Sequence, residues 1–377
     1  MKIAFIRKKY SPYGGAERYV NELARRLSME GDQVFILAND WISDTETRMS
    51  FKKIPMIKGI SFLETLSFAL SAYIICRRMK FDIIQSNEKT LYQDIYRAGD
   101  GCHKEWLIQR LKVSPFLKRI SVYLNPFHWL VLWIESRIFR QGHYKKIIAN
   151  SKRGREEIIR HYNLPEEDIS IVYNGVDIER FNPDNMGKYR DSIRKELSIG
   201  NEDIILLFIG SGFERKGLRY LIEALSVIKR GDVGLLIIGK GNTGYYHRLA
   251  ERLGIQKRIY ILGKQPDTER YYAASDIFIL PTLYDPFPNV CLEALASGLP
   301  VITSKISGAS EIISKGIDGM IIDNPDDPDE IAQKISMIID IEKRTGLRIA
   351  ARKKAEQFTY KENIRQSLEI YKEIIKR

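Results

Sequence analysis

Two adjacent cations, Arg215 and Lys216, stand near the end of a glycine-rich segment, residues 210–217 (GSGFERKG). The planar fork of an arginine and the compact charge of a lysine together can neutralise a diphosphate. Fixed charges of this kind stabilise a departing diphosphate, as a metal ion does elsewhere. The segment is not a Walker loop, because the Gly-x-x-x-x-Gly-Lys-Ser/Thr pattern is missing. The alternative interpretation is a solvated, charged turn.

A second candidate segment, residues 284–298 (YDPFPNVCLEALASG), carries the carboxylates Asp285 and Glu293 eight residues apart. Glu293 lies in an otherwise apolar run, where an ionised carboxylate is costly without a partner. A pair of ribose hydroxyls is a suitable partner. Asn289 is placed to cap the helix of this segment, so that its first amides face phosphate groups.

The third segment, residues 12–17 (PYGGAE), places Gly14 and Gly15 directly before a predicted helix. Glycines let the backbone approach a ligand, and the helix directs its first amides at it. A Gly-x-Gly-x-x-Gly pattern is missing, which argues against a nicotinamide or flavin enzyme. An ordinary strand-to-helix turn is the alternative.

These segments follow predicted strands of an α/β fold. A strand at 2–7, a helix from 16 to about 30 and a strand at 34–38 form a βαβ opening, which implies a parallel sheet. From residue 203 onward strands and helices alternate again, which predicts a second doubly wound domain. Ligands bind such sheets at the carboxyl ends of the strands, where all three segments lie.

The length of 377 residues fits two domains. The turn sequence Asn174-Gly175 indicates the boundary. We predict an N-terminal domain of residues 1–172, a C-terminal domain of residues 173–357, and a helix over 358–377 that packs back on the first domain.

The net charge of +12 is uneven, since residues 101–150 contain nine Lys or Arg and only two Glu. A local basic block favours an anionic partner: nucleic acid, anionic lipid or a phosphorylated substrate. No nucleic-acid-binding module is recognisable, so we expect no nucleic acid partner. The odd number of cysteines, three, indicates reduced thiols in the cytosol. The first apolar run is too short for a signal peptide, and the run at 129–134 is too short to span a bilayer.

The order of these motifs resembles that of a known family, the retaining GT-B glycosyltransferases of the "family four" group. Their Glu-x7-Glu signature stands here as Asp285-x7-Glu293, followed by Gly298-Leu299-Pro300-Val301. Residues 14–15, 174–177 and 215–216 fit the same pattern, so the resemblance covers nearly the whole chain. It implies two Rossmann-like domains facing across a cleft, the first for the acceptor and the second for the nucleotide sugar.

The resemblance also implies roles for individual residues. Asp285 would contact hydroxyls of the donor sugar, although the family usually has Glu there, which leaves the sugar's identity open. Asp100 takes the place of an acceptor-side His of many relatives; a turn-capping Asp is the alternative. The catalytic residues implied are Asp100, Asp285, Arg215 and Lys216. The substrate-binding residues implied are Gly14, Gly15, Arg215, Lys216, Asp285, Phe287, Pro288, Asn289, Val290 and Glu293.

Within the family, residues 10–15 and 98–102 and the basic segment after them resemble the branch that glucosylates the heptose region of the lipopolysaccharide core. The expected reaction is the retaining, metal-independent transfer of a hexose, with glucose favoured, from a UDP-sugar to a membrane-associated glycolipid. The UDP-sugar is a co-substrate, and no cofactor is expected. The alternatives are another nucleotide sugar with a different polysaccharide acceptor, a nucleotide-sugar epimerase, or a glycoside phosphorylase, which should be longer.

Two further expectations concern metal and membrane. Asp327-Pro328-Asp329 matches the Asp-x-Asp string of metal-dependent transferases, but Asp327 as helix N-cap with Pro328 at the first helical position explains it better. Residues 103–133 mix basic residues with three tryptophans. That composition suits docking on an anionic membrane, at the inner face of the cytoplasmic membrane. The alternative places these aromatics in the core and the charges on a solvated face.

Overall fold

A computed structural model of the chain describes residues 1–10, 15–41, 49–112 and 116–376. The chain forms two compact units. The N-terminal unit comprises Met1–Asn174 together with Tyr360–Arg377, and the C-terminal unit comprises Gly175–Thr359. The chain therefore passes between the units twice, two residues away from each of the boundaries predicted at 172 and 357.

The N-terminal unit is built on a parallel sheet, which has seven strands within the described ranges, in the order β3-β2-β1-β4-β5-β6-β7. Its strands are β1 (Lys2–Tyr10), β2 (Gln33–Trp41), β3 (Ser50–Lys53), β4 (Ile83–Ser86), β5 (Ile95–Ala98), β6 (Lys146–Ala149) and β7 (Ile169–Ile171). Its helices are α1 (Gly15–Met29), α2 (Ser61–Arg78), α3 (His103–Lys112), α4 (Phe116–Leu124), α5 (Pro126–Ile138), α6 (Lys152–Tyr162) and, far along the chain, α14 (Tyr360–Lys376).

The last helix completes the core of the N-terminal unit, as the sequence predicts. Ile364, Tyr371 and Ile374 of α14 lie in one buried apolar cluster with Val20 and Leu23 of α1. The phenol of Tyr371 also donates a 2.6 Å hydrogen bond to Oε1 of Gln85 in β4. The amphipathic pattern of α14 therefore has its apolar face buried against this unit.

The C-terminal unit has a parallel sheet of six described strands in the order β10-β9-β8-β11-β12-β13. The strands are β8 (Ile204–Ile209), β9 (Val233–Ile238), β10 (Ile259–Gly263), β11 (Ile277–Leu280), β12 (Val301–Ser304) and β13 (Gly319–Ile322). The helices are α7 (Asn185–Glu196), α8 (Leu218–Val227), α9 (Thr243–Arg252), α10 (Glu269–Ala274), α11 (Asn289–Ala296), α12 (Pro328–Ile338) and α13 (Ile341–Ala355). Strand order reverses between β8 and β11, which makes their carboxyl ends the switch point of this sheet.

The starts of α12 and α11 differ in how they are capped. Asp327 is the N-cap of α12, where its carboxylate accepts from the amides of Asp329 (2.9 Å) and Glu330 (3.3 Å), so it acts as the predicted helix cap. Asn289 is not a helix N-cap: α11 begins at Asn289 itself, and Pro288 occupies the cap position. The run Pro286-Phe287-Pro288 keeps the chain extended up to that point, because a residue before proline avoids helical dihedrals.

Candidate active site

The loop after β8 is held in one conformation by its backbone. Gly217 has a φ of +75°, and a Cβ there would lie 2.0 Å from the carbonyl oxygen of Pro281, so only glycine fits. The carbonyl of Arg215 accepts from the amide of Leu283 at 2.8 Å and from the hydroxyl of Thr282 at 3.2 Å. These contacts attach the loop of β8 to the loop of β11, the neighbouring strand at the switch point.

This attachment brings Arg215 and Lys216 to Asp285. The ammonium of Lys216 forms an ion pair with Oδ2 of Asp285, and Nη1 of Arg215 lies 3.1 Å from the same oxygen. Burial alone would raise the pKa of Asp285, but the two cations outweigh it and hold the pKa below its ordinary value. The Arg215 side chain remains 36% exposed, so an anionic ligand can reach it.

Glu293 lies one turn into α11, in a different environment. The phenol of the fully buried Tyr272 donates to Oε2 of Glu293 at 3.0 Å and to the carbonyl of Val290 at 3.1 Å. In the part of the chain that the structure describes, no basic side chain forms a salt bridge with Glu293. Burial raises its pKa to about 7, against the lowering effects of the Tyr272 hydrogen bond and of Arg180.

The start of α11 lies between these two carboxylates. Phe287 and Pro288 are buried, whereas Asn289 and Val290 are partly exposed. The carbonyl of Asp285 accepts from the amide of Gly308 at 2.9 Å, which links this loop to the segment after β12. The first amides of a helix have no partner within the helix, and its dipole favours an anion there. The structure therefore assembles two cations, two carboxylates and a helix N-terminus at one edge of the sheet.

The remaining sequence-predicted residues lie in the N-terminal unit. Gly15 is the first residue of α1, whereas Gly14 lies outside the described residues. Asp100 is exposed in the turn between β5 and α3, where the amide of Gly101 donates to the carbonyl of Ala98 at 3.1 Å. Within the described ranges its carboxylate accepts no hydrogen bond, so Asp100 does not cap this turn.

Sequence reasoning missed Glu135, a fully buried carboxylate of α5. It accepts from the amides of His103 (2.7 Å) and Lys104 (3.2 Å) and from the phenol of Tyr162 (2.6 Å). The ammonium of Lys89 lies 3.5 Å away. Burial opposes ionisation, but Lys89 and these donors outweigh it and lower the pKa of Glu135. The sequence does contain a signal for this residue, because Glu135 interrupts an apolar run just as Glu293 does.

The basic segment 103–133 has both a buried and an exposed apolar side. His128, Leu130 and Val131 are buried, so part of the segment belongs to the core. Tyr123 is 62% exposed, Leu124 76%, Phe116 74%, Trp129 65% and Trp133 48%. Ile108 and Ile120 are exposed as well, and these seven side chains are called the exposed apolar side of α3, α4 and α5 below. Exposed apolar patches of this kind mark interaction sites.

Three structural findings concern metals, thiols and membrane spans. In the described residues, no three or more His, Cys, Asp or Glu side chains come together in a group that could hold a metal ion. Cys76, Cys102 and Cys291 are buried and unpaired as disulfides. Among the helices of the described ranges, none combines the length and the apolar character needed to cross a bilayer.

Comparison with known proteins gives two adjacent family matches. Residues 13–180 match the model described as Glycosyltransferase Family 4, and residues 189–358 match the model described as Glycosyl transferases group 1. The chain is 25% identical to the lipopolysaccharide glucosyltransferase WaaG of Escherichia coli over 328 residues, which is 86% of each protein. It is 30% identical to an uncharacterized glycosyltransferase of Methanocaldococcus jannaschii over 52% of the chain, and it spans 50% of that relative's length.

Solved structures match over nearly the full length. The crystal structure of WaaG, described as a glycosyltransferase involved in lipopolysaccharide biosynthesis, superposes with a TM-score of 0.85 at 22% identity, covering 98% of this chain and 99% of WaaG. The structure of HepE of Anabaena in complex with UDP-glucose superposes with a TM-score of 0.75 at 20% identity, covering 99% of this chain and all of that one. These matches establish the fold.

Proposed function

We propose that this chain, a hexosyltransferase belonging to the GT-B glycosyltransferases, transfers glucose from UDP-glucose to a glycolipid acceptor at a membrane. The transfer retains the configuration of the sugar. The observation that carries the proposal is the cluster of Arg215, Lys216, Asp285 and Glu293 at the switch point of the C-terminal sheet. The relatives support the choice of substrates: WaaG is a lipopolysaccharide glucosyltransferase, and HepE has been solved with UDP-glucose.

The C-terminal unit supplies the charges that a nucleotide sugar requires. Arg215 and Lys216 hold the diphosphate, assisted by the amides at the start of α11. Both cations already contact Asp285, so the diphosphate competes with this carboxylate for them. Asp285 then accepts hydrogen bonds from hydroxyls of the sugar. Glu293 accepts hydrogen bonds from the ribose hydroxyls. These bonds supply the partners that this carboxylate lacks, since it has one described donor in the protein.

In the reaction, the bond between the anomeric carbon and the diphosphate oxygen breaks, and a bond to the acceptor oxygen forms on the same face of the sugar. The proton of the acceptor hydroxyl passes to the departing phosphate oxygen. Arg215 and Lys216 stabilise the negative charge that develops on the diphosphate, which makes a divalent cation unnecessary. Asp100, exposed on the acceptor-binding unit, orients the acceptor by accepting a hydrogen bond from a hydroxyl next to the attacking one.

A thermal-shift panel of UDP-, GDP- and ADP-sugars, followed by mass spectrometry of the products formed with the leading donor, tests the proposal. We expect UDP-glucose to give the largest shift and excess EDTA to leave turnover intact. The Asp100→Ala variant should lose transfer while it keeps its affinity for the donor. A larger shift with a GDP- or ADP-sugar would reassign the donor, and EDTA inhibition reversed by Mg²⁺ or Mn²⁺ would overturn metal independence.

We further propose that the exposed apolar side of α3, α4 and α5 docks on the anionic inner face of the cytoplasmic membrane. The support is the exposure of Leu124, Phe116 and Trp129 beside exposed basic residues, which include Lys104, Lys112 and Arg119. Such a face enters the headgroup region to about 5–10 Å, and each basic residue near anionic lipid adds about 1 kcal/mol. A lipid-borne acceptor is then presented to the same unit that carries Asp100.

Sedimentation with vesicles of phosphatidylcholine, with and without phosphatidylglycerol, tests the docking. Binding should require the anionic lipid, weaken at high salt and fall when Lys112 and Arg119 are changed to Glu. The matched control changes Lys229 and Lys257, two exposed lysines of the C-terminal unit, to Glu. Equal losses in both double variants would indicate nonspecific charge attraction, and equal binding to both vesicle types would remove the claim.

A further inference from the structure

The buried carboxylate of Glu135 joins four elements of the N-terminal unit. Besides the amides of His103 and Lys104 at the start of α3, it contacts Tyr162 at the end of α6 and Lys89 after β4. The fourth element is α5, which carries Glu135 itself. A buried carboxylate with this many donors is fixed in orientation, because moving it would leave several polar groups unsatisfied.

Glu135 sits where the acceptor-side turn ends. The turn begins at Ala98, whose carbonyl accepts from Gly101, and the carbonyl of Gly99 accepts at 2.9 Å from the side-chain amide of Asn150. The chain then reaches the buried Cys102 and enters α3 at His103. The turn that carries the exposed Asp100 is thus held on one side by strand β5 and Asn150. On the other side it is held by the two amides that donate hydrogen bonds to Glu135.

Glu135 also connects this turn to the exposed apolar side of the unit. It lies on α5 just two residues after the exposed Trp133, while its carboxylate points to the first amides of α3. The rings of His103 and His128 meet with Nε2 and Nδ1 3.2 Å apart, which is a second contact between α3 and α5. Hydrogen bonds therefore join α5 to the start of α3, where the turn that carries Asp100 ends.

We propose that Glu135 is a positioning residue for sugar transfer: it acts through the amides of His103 and Lys104 and fixes the turn that presents Asp100 to the acceptor. The proposal rests on the function proposed above for Asp100. Glu135 touches no substrate itself. Its loss should therefore lower the transfer step and leave donor binding in the C-terminal unit unchanged.

The first test compares Glu135→Gln with a matched control, Glu105→Gln, using a detergent-solubilised acceptor. Glu105 is likewise a buried carboxylate of this unit, and the described partners of its side chain are Gln109 (2.6 Å), Arg160 (2.9 Å) and His161 (2.7 Å), all of them outside the turn. We expect Glu135→Gln to lower kcat about tenfold, with the donor KM unchanged, since misplaced groups cost rate more than binding. Glu105→Gln should stay within about twofold of wild type.

A double variant separates positioning from general loss of stability. If Glu135 acts through Asp100, Glu135→Gln added to Asp100→Asn should produce no further loss of kcat, because coupled residues are not additive. Full additivity, or unchanged kcat in Glu135→Gln, would overturn the proposal. If Glu135→Gln does not fold, Tyr162→Phe removes one donor while it keeps the charge, and it should lower kcat in the same direction.

Hydrogen exchange tests the proposal without relying on activity. In Glu135→Gln, the amides of residues 101–104 should exchange faster, while those of the buried strand β6 should stay as protected as in the wild type. Unchanged protection at 101–104 would contradict the proposal even if transfer were impaired. A wild-type protein that transfers no sugar would instead refute the proposed function and leave this structural result standing.

Discussion

Glu135 and Glu293 are both carboxylates in apolar runs of short helices, one in each unit, yet their surroundings differ. Glu135 receives two amides and a phenol and lies near a lysine, and its pKa is lowered. Glu293 receives one phenol, and burial raises its pKa to about 7. Among the described residues, the same residue type therefore has several donors in one unit and a single donor in the other.

The difference separates a carboxylate that serves the fold from one that serves a ligand. A fully partnered carboxylate has its desolvation cost offset within the protein, so its removal should damage the structure around it. A carboxylate with one donor bears a cost that a ligand with hydroxyl groups can relieve. The comparison predicts opposite outcomes for equivalent substitutions at the two positions.

The largest effect is expected on stability. Glu135→Ala should lower the free energy of unfolding of the N-terminal unit by about 3–5 kcal/mol, because Lys89 and two helix amides lose their partner. Glu293→Ala should change that of the C-terminal unit by less than about 1 kcal/mol. All four tryptophans, Trp41, Trp106, Trp129 and Trp133, belong to the N-terminal unit.

Tryptophan fluorescence during urea unfolding therefore reports on the N-terminal unit, and circular dichroism reports on both. Glu135→Ala should shift the fluorescence transition to lower urea, and Glu293→Ala should leave both the fluorescence and the circular dichroism transitions nearly in place. Comparable losses of stability from both substitutions would show that Glu293 is structural.

The next effect concerns catalysis. Glu293→Gln and Lys216→Ala should each lower kcat/KM by about 100-fold, or about 2.7 kcal/mol, the cost of one preorganised electrostatic contact. Lys334→Ala is the control, since Lys334 is also buried in this unit and lies 3.7 Å from Glu330. Steady-state kinetics measure this loss. If a variant retains more than about a third of wild-type activity, the substituted residue does not have the role assigned to it.

A smaller effect is expected on pH dependence. Because ribose hydroxyls donate to the ionised form of Glu293, donor affinity should rise by about tenfold between pH 6 and pH 8 for a pKa near 7. The stability of the unliganded C-terminal unit should move the other way. A carboxyl group whose pKa is raised by folding stabilises the fold at pH values below its ordinary pKa. This contribution is lost as the pH rises through 7.

Calorimetric titration with UDP and UDP-glucose at several pH values measures the first trend, and Glu293→Gln should remove it. Donor affinity that is flat from pH 6 to pH 8 would place Glu293 away from the nucleotide.

For Glu135, the lowered pKa implies that the stability of the N-terminal unit declines as the pH falls below the ordinary pKa of glutamate.

The smallest effect is expected from Tyr272→Phe. This change removes the single described donor to Glu293 and should weaken donor binding by about fivefold, near the 1 kcal/mol of one hydrogen bond. Because the Tyr272 hydrogen bond lowers the pKa of Glu293, its removal should also shift the midpoint of the pH profile upward. An unchanged midpoint would show that the hydrogen bond contributes little in solution.

The sequence predicted most of the C-terminal unit, because its strands are apolar runs separated by glycine-containing turns. The alternation of strands and helices predicted from residue 203 onward begins with β8 at Ile204–Ile209 and continues with α8 at Leu218–Val227. The proximity of Arg215, Lys216 and Asp285 followed from the topology of parallel sheets, since adjacent strands end at the same edge. Their ion pair was not predicted, because side-chain partners depend on contacts between distant residues.

The N-terminal unit was less predictable. Strand β3 has the polar sequence SFKK and is exposed along its whole length, so it lacks the apolar pattern that identifies a strand. Helix α2 was overlooked because it has apolar residues on both its buried and its exposed sides. Glu135 gave the same signal as Glu293, but its partners lie 27 to 46 residues away in the chain, and only the fold brings them together.

The position of α14 has a consequence for how this chain folds as it is synthesised. The C-terminal unit is a continuous segment, whereas the core of the N-terminal unit includes Ile364 and Tyr371, which are synthesised after the whole C-terminal unit. At about 5–20 residues per second, the roughly 200 residues between the two parts of this unit take about 10–40 seconds to make. During that time Val20 and Leu23 lack their partners on α14, so the N-terminal unit is begun before the C-terminal unit and completed after it.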